Sequence, residues 1–340
     1  MDKENLTGYT LEELEDFAER IGEKRFRGRQ LFSWIYQKKI TDFADMTNIA
    51  KALRSKLTDI AEIGQLQLEE KASSPASDSI KYLFRLKNGH FVESVYIPEA
   101  GRRTLCVSSQ VGCALKCAFC ATGKIGFKKN LSAGEIVDQV LQVERDIGVE
   151  LTNIVFMGMG EPFMNYDEVL KACYLIRHEE GLAIGYRHIV ISTAGIVPAI
   201  YRYTEEGHRF KLAISLNSPF NETRTKLMPI SGKYSLDKLM EAIRYYVRKS
   251  RRRPTFEYVL LADINDRRQD ALQLKKLVQD IPCKINLIPY NPTVETFRSP
   301  ATEHIERFAE WLRPIKAPIS VRWSKGADIE AACGQLAGKR

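Results

Sequence analysis

No apolar run in this 340-residue chain approaches the length of a membrane span. An export signal is missing too: the first residues, MDKENLTGYTLEELEDF, are acidic and helical in pattern where a signal would be basic and then apolar. The expected location is the cytoplasm, with no membrane partner. No internal repeat is evident, and the only low-complexity piece is the basic run Arg248–Arg253. A strong charge of one sign is also lacking. Lys+Arg number 51 against 43 Asp+Glu, a net charge of +8 that suits a polyanionic partner without requiring one. Cysteines number seven, an odd count, and without export they argue against a disulfide framework and for metal binding or catalysis. What remains is ordinary globular composition, 44% hydrophobic and 28% charged, at a length that allows one large core and a small accessory domain.

The segment to about residue 63 reads as helices. Leu11, Leu14, Phe17 and Ile21 keep helical spacing, Thr10 and Glu13 form a capping-box pattern, and a second apolar face runs from Gln30 to Tyr36. Lys71–Ser79, KASSPASDS, is small and polar with Pro75 inside it, and reads as a linker. Ile80–Leu86 and Phe91–Ile97 alternate around Asn88-Gly89, a hairpin signal. From Thr104 onward β-like and helical runs take turns. The β-like runs are Leu105–Val107, Asn153–Met157, His188–Ser192, Lys211–Leu216, Thr255–Leu260, Lys284–Ile288 and Ile319–Arg322. Helices are expected at Ser132–Ile147, Tyr166–His178, Leu236–Lys249, Asp270–Gln279 and Thr302–Leu312. That order predicts an α/β fold with a parallel sheet, open or closed as a barrel.

Four of the seven cysteines lie within fifteen residues, and Cys113-Ala-Leu-Lys-Cys117-Ala-Phe-Cys120 is the strongest signal in the chain. Three thiolates at CxxxCxxC spacing on a loop can hold three irons of a [4Fe–4S] cluster and leave the fourth open to a small molecule. Structural zinc wants four ligands, usually as two close pairs, and no histidine lies nearby in sequence. Three buried core cysteines in eight residues would be an unusual coincidence.

These residues, with their flanks, resemble a known family. Thr104–Cys120 (TLCVSSQVGCALKCAFC), Gly158–Pro162 (GMGEP), Ser192–Gly195 (STAG), Lys284–Pro292 (KINLIPYNP) and Asp328–Gly338 (DIEAACGQLAG) look, in order, like the RlmN/Cfr family of radical-SAM RNA adenine methyltransferases, closest to the RlmN type. The resemblance runs from about Leu11 onward. It implies a partial (β/α)6 radical-SAM barrel over 101–340, a small N-terminal helical RNA-binding domain over 1–70, and a linker and connecting β-hairpin over 71–100. It further implies a [4Fe–4S] cluster on Cys113, Cys117 and Cys120, and S-adenosylmethionine (SAM), two per turnover. By the same resemblance, Gly160, Glu161, Ser192, Ser215, Leu216, Asn217 and Asn291 bind SAM. Asn217 stands where some relatives carry histidine. The implied substrates are 23S rRNA and tRNA, methylated by a monomer at adenine C2, with a reducing donor such as flavodoxin.

Cys333, which by pattern alone would be a small core residue, is implied to carry the methyl group. Its S-methyl loses hydrogen to a 5′-deoxyadenosyl radical, and the carbon radical then adds to the ring. Such a route suits an electron-poor carbon that does not attack an electrophilic methyl group. Cys106, otherwise an unremarked strand cysteine, is implied to attack Cys333 afterwards through a transient disulfide. Glu93, otherwise an exposed strand carboxylate, is implied to take the ring proton. Cys173 and Cys283 read as core. The interleaved basic and aromatic stretch Lys24–Arg29 with Trp34 and Tyr36, the lysines 124, 128 and 129, and the run Arg248–Arg253 suit phosphate contacts and base stacking. The rival chemistry is Cfr-type methylation at C8 of the same rRNA base. A rival of another class is a non-catalytic zinc-containing RNA-binding protein.

Overall fold

The computed structural model describes residues 3–313 and 315–338. Ten strands form one sheet, and their order across it follows their order in the chain. Leu66–Ser73, Ile80–Leu86, Phe91–Glu99 and Arg102–Cys106 form an antiparallel meander. Arg102–Cys106 also begins a parallel run that continues through Asn153–Phe156, Ile189–Thr193, Lys211–Ser215, Thr255–Leu260, Lys284–Pro289 and Ile319–Val321. These parallel strands are short and apolar (IVF, IVIS, LAIS), as strands covered on both faces must be. Six crossovers carry the helices Ala133–Ile147, Tyr166–Arg177, Val197–Glu205, Leu236–Ser250, Arg268–Val278 and Thr302–Leu312. The result is six β–α units and one further strand, the partial (β/α)6 barrel with an N-terminal domain that the family resemblance implied.

Among the described residues the two edge strands, Leu66–Ser73 and Ile319–Val321, do not pair, so the barrel is open. Loop residues lace the seam. Ser74 donates to the Asp328 carboxylate at 2.8 Å, Lys325 donates to the Pro98 carbonyl at 2.9 Å, and the Gly326 N–H donates to Ser77 Oγ at 3.0 Å. Lys71–Ser79 is therefore not simply a linker: it is strand to Ser73 and only then turns. The 70/71 boundary falls inside that strand. Its sequence, LQLEEKAS, lies on a sheet edge with mostly exposed side chains, so no apolar alternation marks it. The hairpin turns at Asn88-Gly89 as expected, with Gly89 at φ +81°. Val197–Glu205 and Asn221–Leu227 are helices that the sequence pattern did not reveal.

The N-terminal helices Leu11–Arg20, Phe26–Phe32 and Lys51–Ile60 pack beside a two-strand parallel pair, Glu4–Asn5 with Ala61–Glu62. Thr10 caps the first helix, accepting from the Glu13 N–H while Glu13 accepts from the Thr10 N–H. This domain sits directly on helix Ala133–Ile147. Asp138 Oδ2 accepts from the backbone N–H of Gln65 and Leu66 at 2.7 and 2.9 Å, and Lys39 pairs with Glu144 at 3.0 Å. Gly8 and Gly134 meet backbone to backbone: a Cβ on Gly134 would lie 2.1 Å from the Thr7 carbonyl. Gly-to-Ala inside a helix ordinarily gains about 1 kcal/mol. Here Gly134→Ala is expected to destabilise by about 1–3 kcal/mol, because the close approach leaves no space. A lowered thermal midpoint checks this, and a raised one would contradict the docking described. No helix among the described residues is long and apolar enough to cross a membrane.

Candidate active site

The C-terminal ends of the parallel strands surround a cavity of about 160 Å³. This is where a barrel exposes loop residues to a ligand. Cys113, Cys117 and Cys120 line it on one side, and Gly160, Glu161, Ser192, Ser215, Asn217 and Asn291 line the other. Cys333 enters its wall from the C-terminal segment. The cysteine loop is pinned from several directions. The Ala118 N–H donates to the Leu227 carbonyl, Thr293 Oγ1 to the Phe119 carbonyl, and the Ala121 N–H to the Gly334 carbonyl at 2.7 Å.

Burial pushes the Cys113 thiol up to about 12. It also pushes Cys117 up, and the neighbouring thiols of Cys120 and Cys113 add to the effect, so the three sense one another. No three His, Cys, Asp or Glu side chains among the described residues converge on a single-ion site, the arrangement zinc needs. A four-iron cluster spreads three thiolates over three different irons, which three thiols lining one cavity can supply. Binding would expel their protons. The guanidinium of Arg224 faces Cys117 and opposes the rise in its pKa, offsetting part of the charge that thiolates would gather.

Arg224 is fully buried, and burial brings its pKa down to about 10. It donates to the carbonyls of Ala194, Ser215 and Leu216 and to Ser231 Oγ. One side chain thereby ties together two strand ends that carry cavity residues. Gly160, at φ +101°, lets its loop pass Gln110, where a Cβ would come within 2.6 Å of the glutamine side chain. Glu161 is buried beside that loop, and burial pushes its carboxyl up to about 7. The N–H groups of Ala194 and Phe163 donate to it at 2.7 and 3.0 Å and oppose the rise.

Asn217 stands in the left-handed region at φ +56°. Its Oδ1 accepts from the Val259 N–H, and its amide nitrogen donates to Met228 Sδ. Leu216 is fully buried beneath it and does not line the cavity. Asn291 donates to Ser324 Oγ at 2.9 Å and to the Cys333 carbonyl at 3.2 Å, which fixes the segment carrying that thiol.

Cys106 lies outside this cavity. It lines a smaller one, of about 50 Å³, whose wall shares Cys333, Met157 and Ile288 with the first. Burial pushes Cys106 up to about 12, and the Cys333 thiol contributes to the rise; the two cysteines line one cavity although more than two hundred residues of sequence separate them. Both are free thiols, as are the other five, and no disulfide joins any pair. Cys173 and Cys283 are buried, as expected of core residues. Glu93 lines neither cavity. It is buried, and its carboxylate accepts from the N–H groups of Ala337 and Gly338 at 2.7 and 2.9 Å, with Lys81 at 3.6 Å.

The comparisons agree with the geometry. Residues 4–63 match the ribosomal RNA large subunit methyltransferase N-terminal domain, and residues 107–274 match the radical SAM superfamily. The chain is 48% identical to a probable dual-specificity RNA methyltransferase RlmN of Thermoanaerobacter sp. (strain X514), over 98% of each chain. It is 47% identical to the dual-specificity RNA methyltransferase RlmN of Geobacter sulfurreducens, over 98% of this chain and 92% of that one. The crystal structure of a radical SAM methyltransferase from Sphaerobacter thermophilus superposes with a TM-score of 0.95 at 41% identity, covering 99% of this chain and 100% of that one. The chain belongs to the RlmN family of radical-SAM RNA methyltransferases. Membership of the RlmN family makes it an enzyme acting on RNA, with SAM and a [4Fe–4S] cluster as the general cofactors of radical-SAM chemistry.

Several cavity residues escaped the reading of the sequence, among them two acidic or basic side chains and a methionine. Met157 and Glu257 line the main cavity, and Arg322 follows the last strand at the second. Glu257 left a usable signal. In TFEYVL it is the only charged residue, and its side chain shares the inward face with Val259 while Phe256 and Tyr258 pack outward. The basic stretches are less free than the sequence suggested. Arg25 pairs with Glu15 and Asp16, Arg29 with Glu180, Lys129 with Glu135, and Lys249 with Glu205. Tyr36 is fully buried, its hydroxyl donating to the Tyr9 carbonyl, so it cannot stack on a base. Phe26 is about half exposed and remains available.

Proposed function

We propose that this enzyme forms 2-methyladenosine in 23S rRNA and in tRNA through a methylated cysteine. The observation that carries this reading is the position of Cys333. It is a fourth thiol in the wall of the cavity lined by Cys113, Cys117 and Cys120, and it faces a fifth, Cys106, on its far side. Ribosomal RNA as substrate is supported by the N-terminal domain match, and a second RNA by the dual specificity in the relatives' names.

Cys113, Cys117 and Cys120 would hold the cluster. Gly160 and Glu161 would meet the cationic amine of SAM, with Ser192, Ser215, Asn217 and Asn291 on its ribose, carboxylate and adenine. Together the cofactors supply a methyl group and then a hydrogen-abstracting radical, at a cost of two SAM per turnover and one electron from a donor such as flavodoxin. Cys333 exchanges its thiol proton for the methyl, and after hydrogen loss its carbon bonds to adenine C2. Glu93 takes the C2 proton, for which residues 337 and 338 must first leave its carboxylate, and with that proton the odd-electron adduct would give back the one electron that the donor supplied, leaving a closed-shell thioether. The Cys106 thiolate then attacks Cys333 Sγ. The carbon–sulfur bond breaks, the carbon keeps the electron pair and takes a proton, and a disulfide remains for a cellular thiol to reduce. The protein acts as a monomer.

The test is anaerobic incubation of cluster-loaded protein with SAM, a reductant and either RNA, followed by mass spectrometry of the nucleosides. The expected product is 2-methyladenosine from both. Only 8-methyladenosine would overturn the regiochemistry, and modification of one RNA alone would overturn the dual specificity.

A further inference from the structure

Between the two cavities lies a group of charges that this chemistry leaves unused. The Arg322 guanidinium lines the smaller cavity with Cys106 and Cys333, and its one side-chain hydrogen bond among the described residues is to Met157 Sδ at 3.7 Å. Among the described residues it forms no ion pair. Glu257 stands near by, 5% exposed, with Oε1 accepting from Asn286 at 3.0 Å and Oε2 buried without a partner. The other charges of that cavity satisfy one another, since Glu99 pairs with Arg102 at 2.9 Å and with Lys325 at 3.9 Å. A partly buried cation with no ion pair is free to attract an anion that forms beside it, and a buried carboxylate oxygen with no donor is unfavourable.

We propose that Arg322 is a positioning residue that holds the Cys106 thiolate in place for its attack on Cys333, and that Glu257 competes for the same guanidinium. The groups facing Cys106 agree. Burial and the Cys333 thiol push its pKa up, and Arg322 opposes them. Burial pushes Glu257 up as well, which weakens its claim on the cation and leaves the charge for the thiols. Arg322 draws its guanidinium into this exchange because burial pulls its own pKa down while Cys333, Glu257 and Cys106 more than reverse that. The proposal rests on the cysteine roles proposed above, but its test does not depend on turnover.

The probe is methyl methanethiosulfonate, a small thiolate-selective reagent, applied to cluster-loaded protein and read at Cys106 by peptide mass spectrometry. Below the thiol pKa a rise in pKa shrinks the thiolate fraction, and the greater nucleophilicity of the more basic thiolate recovers about half of that loss. At pH 8, Arg322→Met is expected to slow Cys106 roughly threefold, Arg322→Lys to restore most of the rate, and Glu257→Gln to raise it above wild type. Glu257→Gln keeps shape and size, so the opposite sign it predicts stands even if Arg322→Met folds poorly. An unchanged rate in Arg322→Met, or a slower one in Glu257→Gln, overturns the proposal. If these rates move as expected while Cys106→Ala traps no RNA, the electrostatic assignment stands and the resolving role of Cys106 falls.

Discussion

Cys106→Ala incubated with SAM, reductant and labelled RNA is expected to stall with protein covalently joined to RNA. Without the Cys106 thiolate nothing attacks Cys333 Sγ, and the bond from that sulfur to the methylated base persists. The double variant Cys106→Ala/Cys333→Ala should give no adduct, since the sulfur that would hold the base is gone. Cys333→Ala alone should lose turnover entirely. A denaturing gel reads all three as the presence or absence of a protein-sized shift on the RNA. Two purely structural cysteines would behave otherwise: each loss would lower stability by about 1–3 kcal/mol and none would trap RNA. Free turnover by Cys106→Ala with no adduct would remove the resolving role. The facing of the two thiols across a shared wall makes the experiment worth doing, because they come from the first parallel strand and from the segment after the last.

Replacing Cys113, Cys117 or Cys120 with alanine, one at a time, is expected to reduce methylation to background and to lower bound iron. Each thiolate would anchor a different iron, and two anchors do not make good the third. Iron content and the brown absorption of anaerobically purified protein read the cluster directly, apart from activity. A colourless wild-type protein containing zinc would instead support a binding module, and full activity in any single variant would sink the cluster assignment. Thermal midpoints should fall less than activity does, since these thiols sit in a loop held by backbone bonds such as Ala118 to Leu227.

Much of this was legible in the residues. Thr302–Leu312 has the bounds that apolar spacing gave it because it packs one clear face, and Thr255–Leu260 has them because a short run buried on both faces starts directly after Pro254. Leu66–Ser73 was not legible, since an edge strand with exposed side chains carries no alternation to read. The cysteine loop announced itself by spacing alone. Arg224 did not, because sequence shows a basic residue as surface until the fold buries it, and Arg322 did not, because only the fold brings it to the cavity of Cys106 and Cys333. Glu93 was named by resemblance, yet nothing in sequence indicated that backbone N–H groups from the far end of the chain would occupy its carboxylate.

The lacing of the seam bears on how the enzyme is made. Thr122 Oγ1 in the cluster loop donates to the Leu336 carbonyl, a contact spanning 214 residues, and the Glu93 carboxylate waits for an N–H that is 244 residues away. At translation rates of roughly 5–20 residues per second, the cysteine loop is exposed for about 10–40 s before its covering segment is synthesised. During that interval Cys113, Cys117 and Cys120 are open on the side that Cys333 later walls off. Iron–sulfur loading on the nascent chain therefore has a defined window, the interval before Cys333 and Gly334 join the wall of the cavity.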